Sequence, residues 1–268
     1  MHGLHVKVVR PEASLAAHPG WSDAALRAIA AASPVAVLAP LPGPDGNFLE
    51  VLTGTLRYRT LRLHDPQGLH AALPVEEKAR RMAAVAVQTG RDLRGIERPT
   101  GEAAEVHAAR RRQLHERAAV LADAGILGEV RLEAGTAAAL RVLLGGGPVA
   151  ESACDGVAHG DLHPSNVVLA AGGIRVIDLE NLMPAPAFTD LLYVARWSRR
   201  DEVAWRAQIA VASAELGRGP GQPDLQLCCE VLLVQASELL RRTVPAPEKN
   251  LRNIADALGF LLSSTPSP

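Results

Sequence analysis

The sequence predicts an α+β protein of two lobes, a small mixed α/β lobe in front of a mainly helical one. Three observations predict this. Residues 1–69 hold short β-branched or alternating runs broken by Pro and Gly. Residues 70–268 hold longer segments with apolar residues at helical spacing. Inside that second stretch, two short apolar runs at 167–169 and 174–177 are separated by Ala-Ala-Gly-Gly, a hairpin set among helices.

The elements follow in order. HVKVVR, His5 to Arg10, reads as a strand that Pro11 interrupts. Ser22 or Asp23 can cap a helix over 24–32. Val35 to Leu38 is a second strand, and the Pro- and Gly-rich segment 40–47 is a turn-rich link. Residues 48–52 and 57–63 form a hairpin turning at Gly54. The segment 64–74, with HDPQG, connects the lobes. Helices are expected over 75–89, 102–124 and 136–144, the last stopped by Gly145, Gly146 and Gly147. That glycine run lacks the Gly-Lys-Ser/Thr of a phosphate loop and reads as a helix exit. Helices over 202–216, 225–241 and 249–262 complete the chain, and Leu251, Ile254 and Leu258 share one face of the last.

Composition narrows the function classes. Of 268 residues 48% are hydrophobic, enough for a sizeable core, but only 3% are aromatic, so Leu, Val, Ile and Ala must build it. A net charge of -1 with no basic run argues against a nucleic-acid partner. No 18-residue apolar span and no secretory leader are read in the chain, so no membrane partner and a cytoplasmic location are expected. Cys154, Cys228 and Cys229 are odd in number and two are adjacent, which argues against a disulfide framework.

The chemistry concentrates in HGDLHPSNVVL, His159 to Leu169, and IRVIDLEN, Ile174 to Asn181. Asp161 is placed to orient an attacking hydroxyl and accept its proton. Asn166 offers an amide oxygen, and Asp178, closing an apolar run, a carboxylate; hard cations such as magnesium take such oxygens. Glu180 either approaches the same metal or binds water outside it. His159 supports the backbone of the loop, and His163 positions Asp161 or touches substrate or phosphate. Asp190 pins the loop through backbone N–H groups or caps the next helix. His159, Asp161 and His163 alternate, so a zinc or iron hydrolase is a competing reading that needs a further ligand.

His-Gly-Asp-Leu-His-Pro-Ser-Asn followed by Ile-Asp-Leu-Glu resembles the aminoglycoside phosphotransferase and choline kinase superfamily, whose fold is protein-kinase-like. The resemblance implies that Asp161 is the catalytic aspartate, that Asn166 and Asp178 bind magnesium, and that Asp190 is the later supporting aspartate. It implies ATP or GTP as phosphoryl donor and a hydroxyl of a small molecule or natural-product intermediate as acceptor. It also implies a strand lysine on the donor phosphates. Lys7 is the candidate, with Arg62 or Arg59 as substitute and Asp23 as a possible partner acid. With Lys7 in that place the N-terminal lobe is abbreviated, lacking the strands and covering loop that normally precede the lysine. A kinase-like scaffold or partner-completed subunit therefore competes with the enzyme reading, with a protein partner, a homodimer or a peptide substrate as its corollaries. From Arg200 onward eight acidic and seven basic residues nearly balance, which does not favour a cationic aminoglycoside.

Overall fold

The computed structural model describes residues 4–52, 55–63, 67–123, 131–170, 173–241 and 247–264. The Gly54 turn and His64 to Pro66 of the connector lie outside them. Three strands surround one long strand in the N-terminal lobe. β1 (Leu4–Val9) runs antiparallel to β4 (Thr55–Leu61), with Lys7 opposite Tyr58. β2 (Pro40–Leu41) and β3 (Leu49–Leu52) share the other edge of β4. Alternation then puts Lys7, Val9 and Tyr58 on the inner face and Leu4, Val6 and Val8 on the outer, exposed one.

α1 (Pro19–Ala31) starts earlier than the sequence signals predict. His18 is its N-cap, accepting from Trp21 N at 3.0 Å, and Pro19 supplies a pre-set first turn. The expected caps are employed elsewhere. Ser22 donates to Leu15 O, and the Asp23 carboxylate accepts from Phe48 N and Leu49 N at 2.6 and 2.8 Å. Asp23 thus ties α1 to β3 and is not the partner acid of Lys7.

Residues 35–38 do not join the N-terminal sheet as a strand. Val37 makes one parallel bridge to Val176, and Asp92 accepts from the N–H groups of Val35, Ala36 and Val37. The carboxylate takes donors that a ladder would otherwise need, so this segment ties the lobes together. Beyond it, β5 (Gln67–Gly68) pairs with β7 (Val167–Ala170), which forms the expected hairpin with β8 (Gly173–Val176). β6 (Gly156–Ala158) and β9 (Met183–Ala185) pair beside it.

Helices fill the rest: α2 (Leu69–Ala72), α3 (Val75–Leu93), α4 (Gly101–Asp123), α5 (Ala134–Leu144), α6 (Thr189–Tyr193), α7 (Ala195–Ser198), α8 (Glu202–Leu216), α9 (Gln222–Arg241) and α10 (Pro247–Ser264). α3 carries Glu76 and Glu77 in its first turn and Arg91 in its last, the signs that suit the helix dipole. α8 begins on Asp201, which accepts from Ala204 N, and ends on Gly217 in the left-handed region at φ 68°. α9 is the central helix, packed on α4, α6 and α10, and its Cys228 and Cys229 are free and buried, as their apolar setting implies. Leu251, Ile254 and Leu258 form the expected buried stripe of α10. Among the described residues no helix is long and apolar enough to cross a membrane.

Candidate active site

The two loops that hold the candidate residues are locked to each other by backbone and imidazole bonds. Ile177 N donates to Asn166 O at 2.9 Å, Asn166 N to His163 O at 2.8 Å, and His163 N to Asp161 O at 3.0 Å. His159 is fully buried between them. Its Nε2 faces Ile177 O at 3.0 Å, so that nitrogen carries the proton, and Nδ1 accepts from Asp161 N at 3.4 Å. One imidazole therefore fixes both the Asp161 loop and the segment before Asp178. With both nitrogens engaged, His159 is not free to ligate zinc or iron. Among the described residues no three His, Cys, Asp or Glu side chains form a metal cluster. In this arrangement His159 acts as a clamp between the two loops.

Asp190, at the start of α6, supports the loop from below. It accepts from His159 N at 2.6 Å and Gly160 N at 3.2 Å. Burial raises its pKa, against the pull of His159 and the two N–H donors. Gly160 sits at φ 78°, and a Cβ there would lie 2.3 Å from Asn181 O. Gly160→Ala is expected to destabilise the fold by at least about 1–2 kcal/mol from the dihedral alone, read as a lower urea midpoint. An unchanged midpoint would show that the loop gives way.

Asp161 remains partly open to solvent, its side chain 24% exposed. His163 stands beside it, Nε2 to Oδ2 3.5 Å, while His163 Nδ1 accepts from Ser165 N. Burial would raise the Asp161 pKa, but the contact and charge of His163, then the charges of His159 and Arg10, outweigh it and leave it lowered. Asp161 is an anion at neutral pH.

Asp178 occupies the left-handed region at φ 69°, a conformation Asp adopts more readily than most residues. Across the cleft, Lys7 Nζ lies 2.8 Å from its Oδ2 and 3.9 Å from Glu180 Oε1. Glu180 is buried, and Arg10 holds it through Nη2 at 2.6 Å and Nε at 2.8 Å. Tyr58, buried on the inner face of β4, accepts from Leu179 N at 2.8 Å. The N-terminal sheet thus grips the Asp178 loop through Lys7, Arg10 and Tyr58. Arg10 and Tyr58 were not among the sequence candidates; alternation on the strand facing Lys7 could have marked Tyr58, whereas Arg10 follows β1 in the register of its outer face and carries no such signal. Tyr58→Phe should leave a buried N–H without an acceptor and cost about 1–3 kcal/mol. Equilibrium unfolding checks this, and a variant as stable as native would contradict it.

Arg62 lies just past β4 and is exposed, with no hydrogen bond or ion pair among the described residues, and Arg59 pairs with Glu50 at 2.8 Å. Neither approaches Asp178 as Lys7 does. The oxygen donors fit a hard divalent cation. Asn166 Nδ2 donates to Asp161 O at 2.9 Å, which turns its Oδ1 away from that bond, and Asp178 Oδ1 is buried without a partner.

The sequence model of the phosphotransferase enzyme family (APH) matches residues 4–225, most of the chain and all of this site. The chain belongs to that family. No curated protein matches it by sequence. Among solved structures it is similar to an aminoglycoside phosphotransferase from Alicyclobacillus acidocaldarius, with 14% identity and TM-score 0.57, covering 98% of this chain and 86% of that one. The AMP-bound spectinomycin phosphotransferase APH(9)-Ia is similar at 14% identity and TM-score 0.56, over 96% and 87% of the two chains. A choline/ethanolamine kinase family protein from Mesorhizobium loti is similar at 15% identity and TM-score 0.53, over 98% and 83%. Identities this low establish a shared fold and leave the acceptor open. The fold is the α+β, kinase-like one that the motifs imply.

Proposed function

We propose that this phosphotransferase-family chain transfers the γ-phosphoryl group of ATP or GTP to a hydroxyl of a small molecule, in the cytoplasm. The observation that carries the reading is the Lys7–Asp178 contact of 2.8 Å across the cleft, facing a loop that presents an ionised Asp161. Related folds captured with ADP and spectinomycin, or with AMP-PNP and an amicoumacin acceptor, are consistent with such a donor and acceptor pair.

Asp161 would accept a hydrogen bond from the acceptor hydroxyl, aim its oxygen at the phosphorus and take the proton as transfer proceeds. Asn166 and Asp178 would hold magnesium, which when bound screens the negative charge of the donor phosphates. Lys7 would exchange its pairing with Asp178 for phosphate oxygens, a charge-assisted contact. Glu180 keeps Arg10 and Lys7 in place, a role outside the metal's own ligands. His163 maintains Asp161 as an anion, and His159 with Asp190 fixes the loop. Little else is required, because transfer of this kind depends on positioning and charge more than on a strong base.

The pH profile tests the Asp161 assignment. Its pKa is lowered below 3.8, so the base form persists as pH falls and the acid limb of kcat/KM lies below the usual carboxylate range. The same shift adds stability above the unfolded-state pKa, lost as pH drops through the folded one. His163→Ala removes the main opposing contact and should move the acid limb upward. A limb that stays in place would remove His163 from this role.

The reading itself is tested by incubating the protein with magnesium and ATP or GTP over a panel of amino alcohols, sugars, hydroxylated natural products and hydroxyl-bearing peptides. The expected product gains one phosphoryl group, and its formation slows by about 10²–10⁴-fold in Asp161→Asn. A second reading, in which a partner protein or a second copy completes the N-terminal lobe, is favoured by β1. Among the described residues it pairs only with β4, and Leu4, Val6 and Val8 are 57%, 43% and 57% exposed. Transfer that appears only above a threshold protein concentration would support that version.

A further inference from the structure

A cavity of about 350 Å³ lies between the start of α4 and the β6/β9 pair, away from the cleft. None of Lys7, Asp161, Asn166 or Asp178 lines it. Arg111, from α4, does, and it is 4% exposed. Its Nε is buried with no partner, and among the described residues its guanidinium forms neither a hydrogen bond nor an ion pair. A buried charge without a counterion is costly, and in folded proteins such groups are paired or hold a ligand.

The rest of the wall suits an anion. Arg98 lines the same space, with Nη1 committed to Cys154 O at 3.2 Å and the remainder of its fork available. Thr100 and Ser152 add hydroxyl donors. Thr100 immediately precedes α4, a 23-residue helix whose N-terminal dipole favours negative charge. Pro99, Ala104 and Pro184 supply apolar wall. The acid present, exposed Glu151, makes no ion pair with either arginine among the described residues.

We propose that this cavity binds a small organic anion, its phosphate or carboxylate held by Arg111 and Arg98 and its compact apolar part set against Pro99, Ala104 and Pro184. No catalytic side chain reaches it, so its occupant is an effector and not the phosphoryl acceptor. Pro184 pairs with Val157, two residues before His159, so the ligand rests on the strand pair that leads into the catalytic loop.

The test is calorimetric and thermal titration of the full chain with inorganic phosphate and, in a separate arm, acetate, at constant ionic strength without nucleotide. Saturable binding and a raised melting temperature are expected in the native protein for at least one anion, and the stronger arm tells phosphate from carboxylate. Arg111→Gln should weaken binding tenfold or more, whereas Lys7→Met should leave it unchanged. No saturable response to either anion would overturn the proposal. So would a response that survives in Arg111→Gln, or one lost in Lys7→Met, which would place the anion in the nucleotide cleft. Should Arg111→Gln fail to fold, Arg98→Gln, at an exposed position, decides instead: a several-fold loss supports the site, and unchanged affinity overturns it.

Discussion

Asp161→Asn is expected to lower kcat by about 10²–10⁴-fold while nucleotide affinity stays near native. The amide keeps the shape of the side chain but cannot take the acceptor's proton. The loop itself should survive, because its bonds run through the backbone of residues 161–166, through His159 and through Asp190 rather than through the Asp161 carboxylate. Among the described residues His163 is the side chain whose close partner changes, since its Nε2 lies 3.5 Å from the lost oxygen. Steady-state kinetics separate the cases: a fall in kcat alone supports direct participation, whereas a rise in nucleotide KM with little change in kcat would assign Asp161 to binding.

Asp178→Asn should be more damaging to nucleotide recognition. Asn tolerates the left-handed backbone at φ 69°, so the substitution removes charge with little conformational cost. Lys7 loses its 2.8 Å partner, and the buried Oδ1 that fits a cation is no longer part of an anionic group. The expected loss is several kcal/mol of charge stabilisation, roughly 10³-fold in kcat/KM, with magnesium-dependent affinity falling in parallel. Because β1 is held to this loop by Lys7, with Arg10 just beyond its end, the variant should also show faster amide exchange in β1. Near-native kcat/KM in a folded Asp178→Asn protein would exclude it from the metal role.

How far the sequence revealed this arrangement depended on how local each signal was. The candidate residues in His159 to Asn166 and Ile174 to Glu180 were legible because they lie in two short segments of the chain. The helical lobe was legible because stripes such as Leu251, Ile254 and Leu258 repeat at the helical period. The start of α1 was missed because Ser22 and Asp23 look like caps, yet bond to Leu15 O and to the start of β3 instead. Residues 35–38 were misread because β-branched residues suit a strand, whereas Asp92, more than fifty positions on, supplies the acceptors. Tyr58 and Arg10 reach residues 121 and 170 positions away. Pairings at such separations are set by tertiary packing, which a local pattern does not encode.

The most direct measurement is a calorimetric titration of ATP and of GTP into the native protein with and without magnesium. Saturable binding of at least one nucleotide that requires the metal, at one site per chain, is the predicted result. A folded native protein that binds neither nucleotide with magnesium, at any attainable protein concentration, would contradict a working phosphotransferase and leave the kinase-like scaffold as the better account.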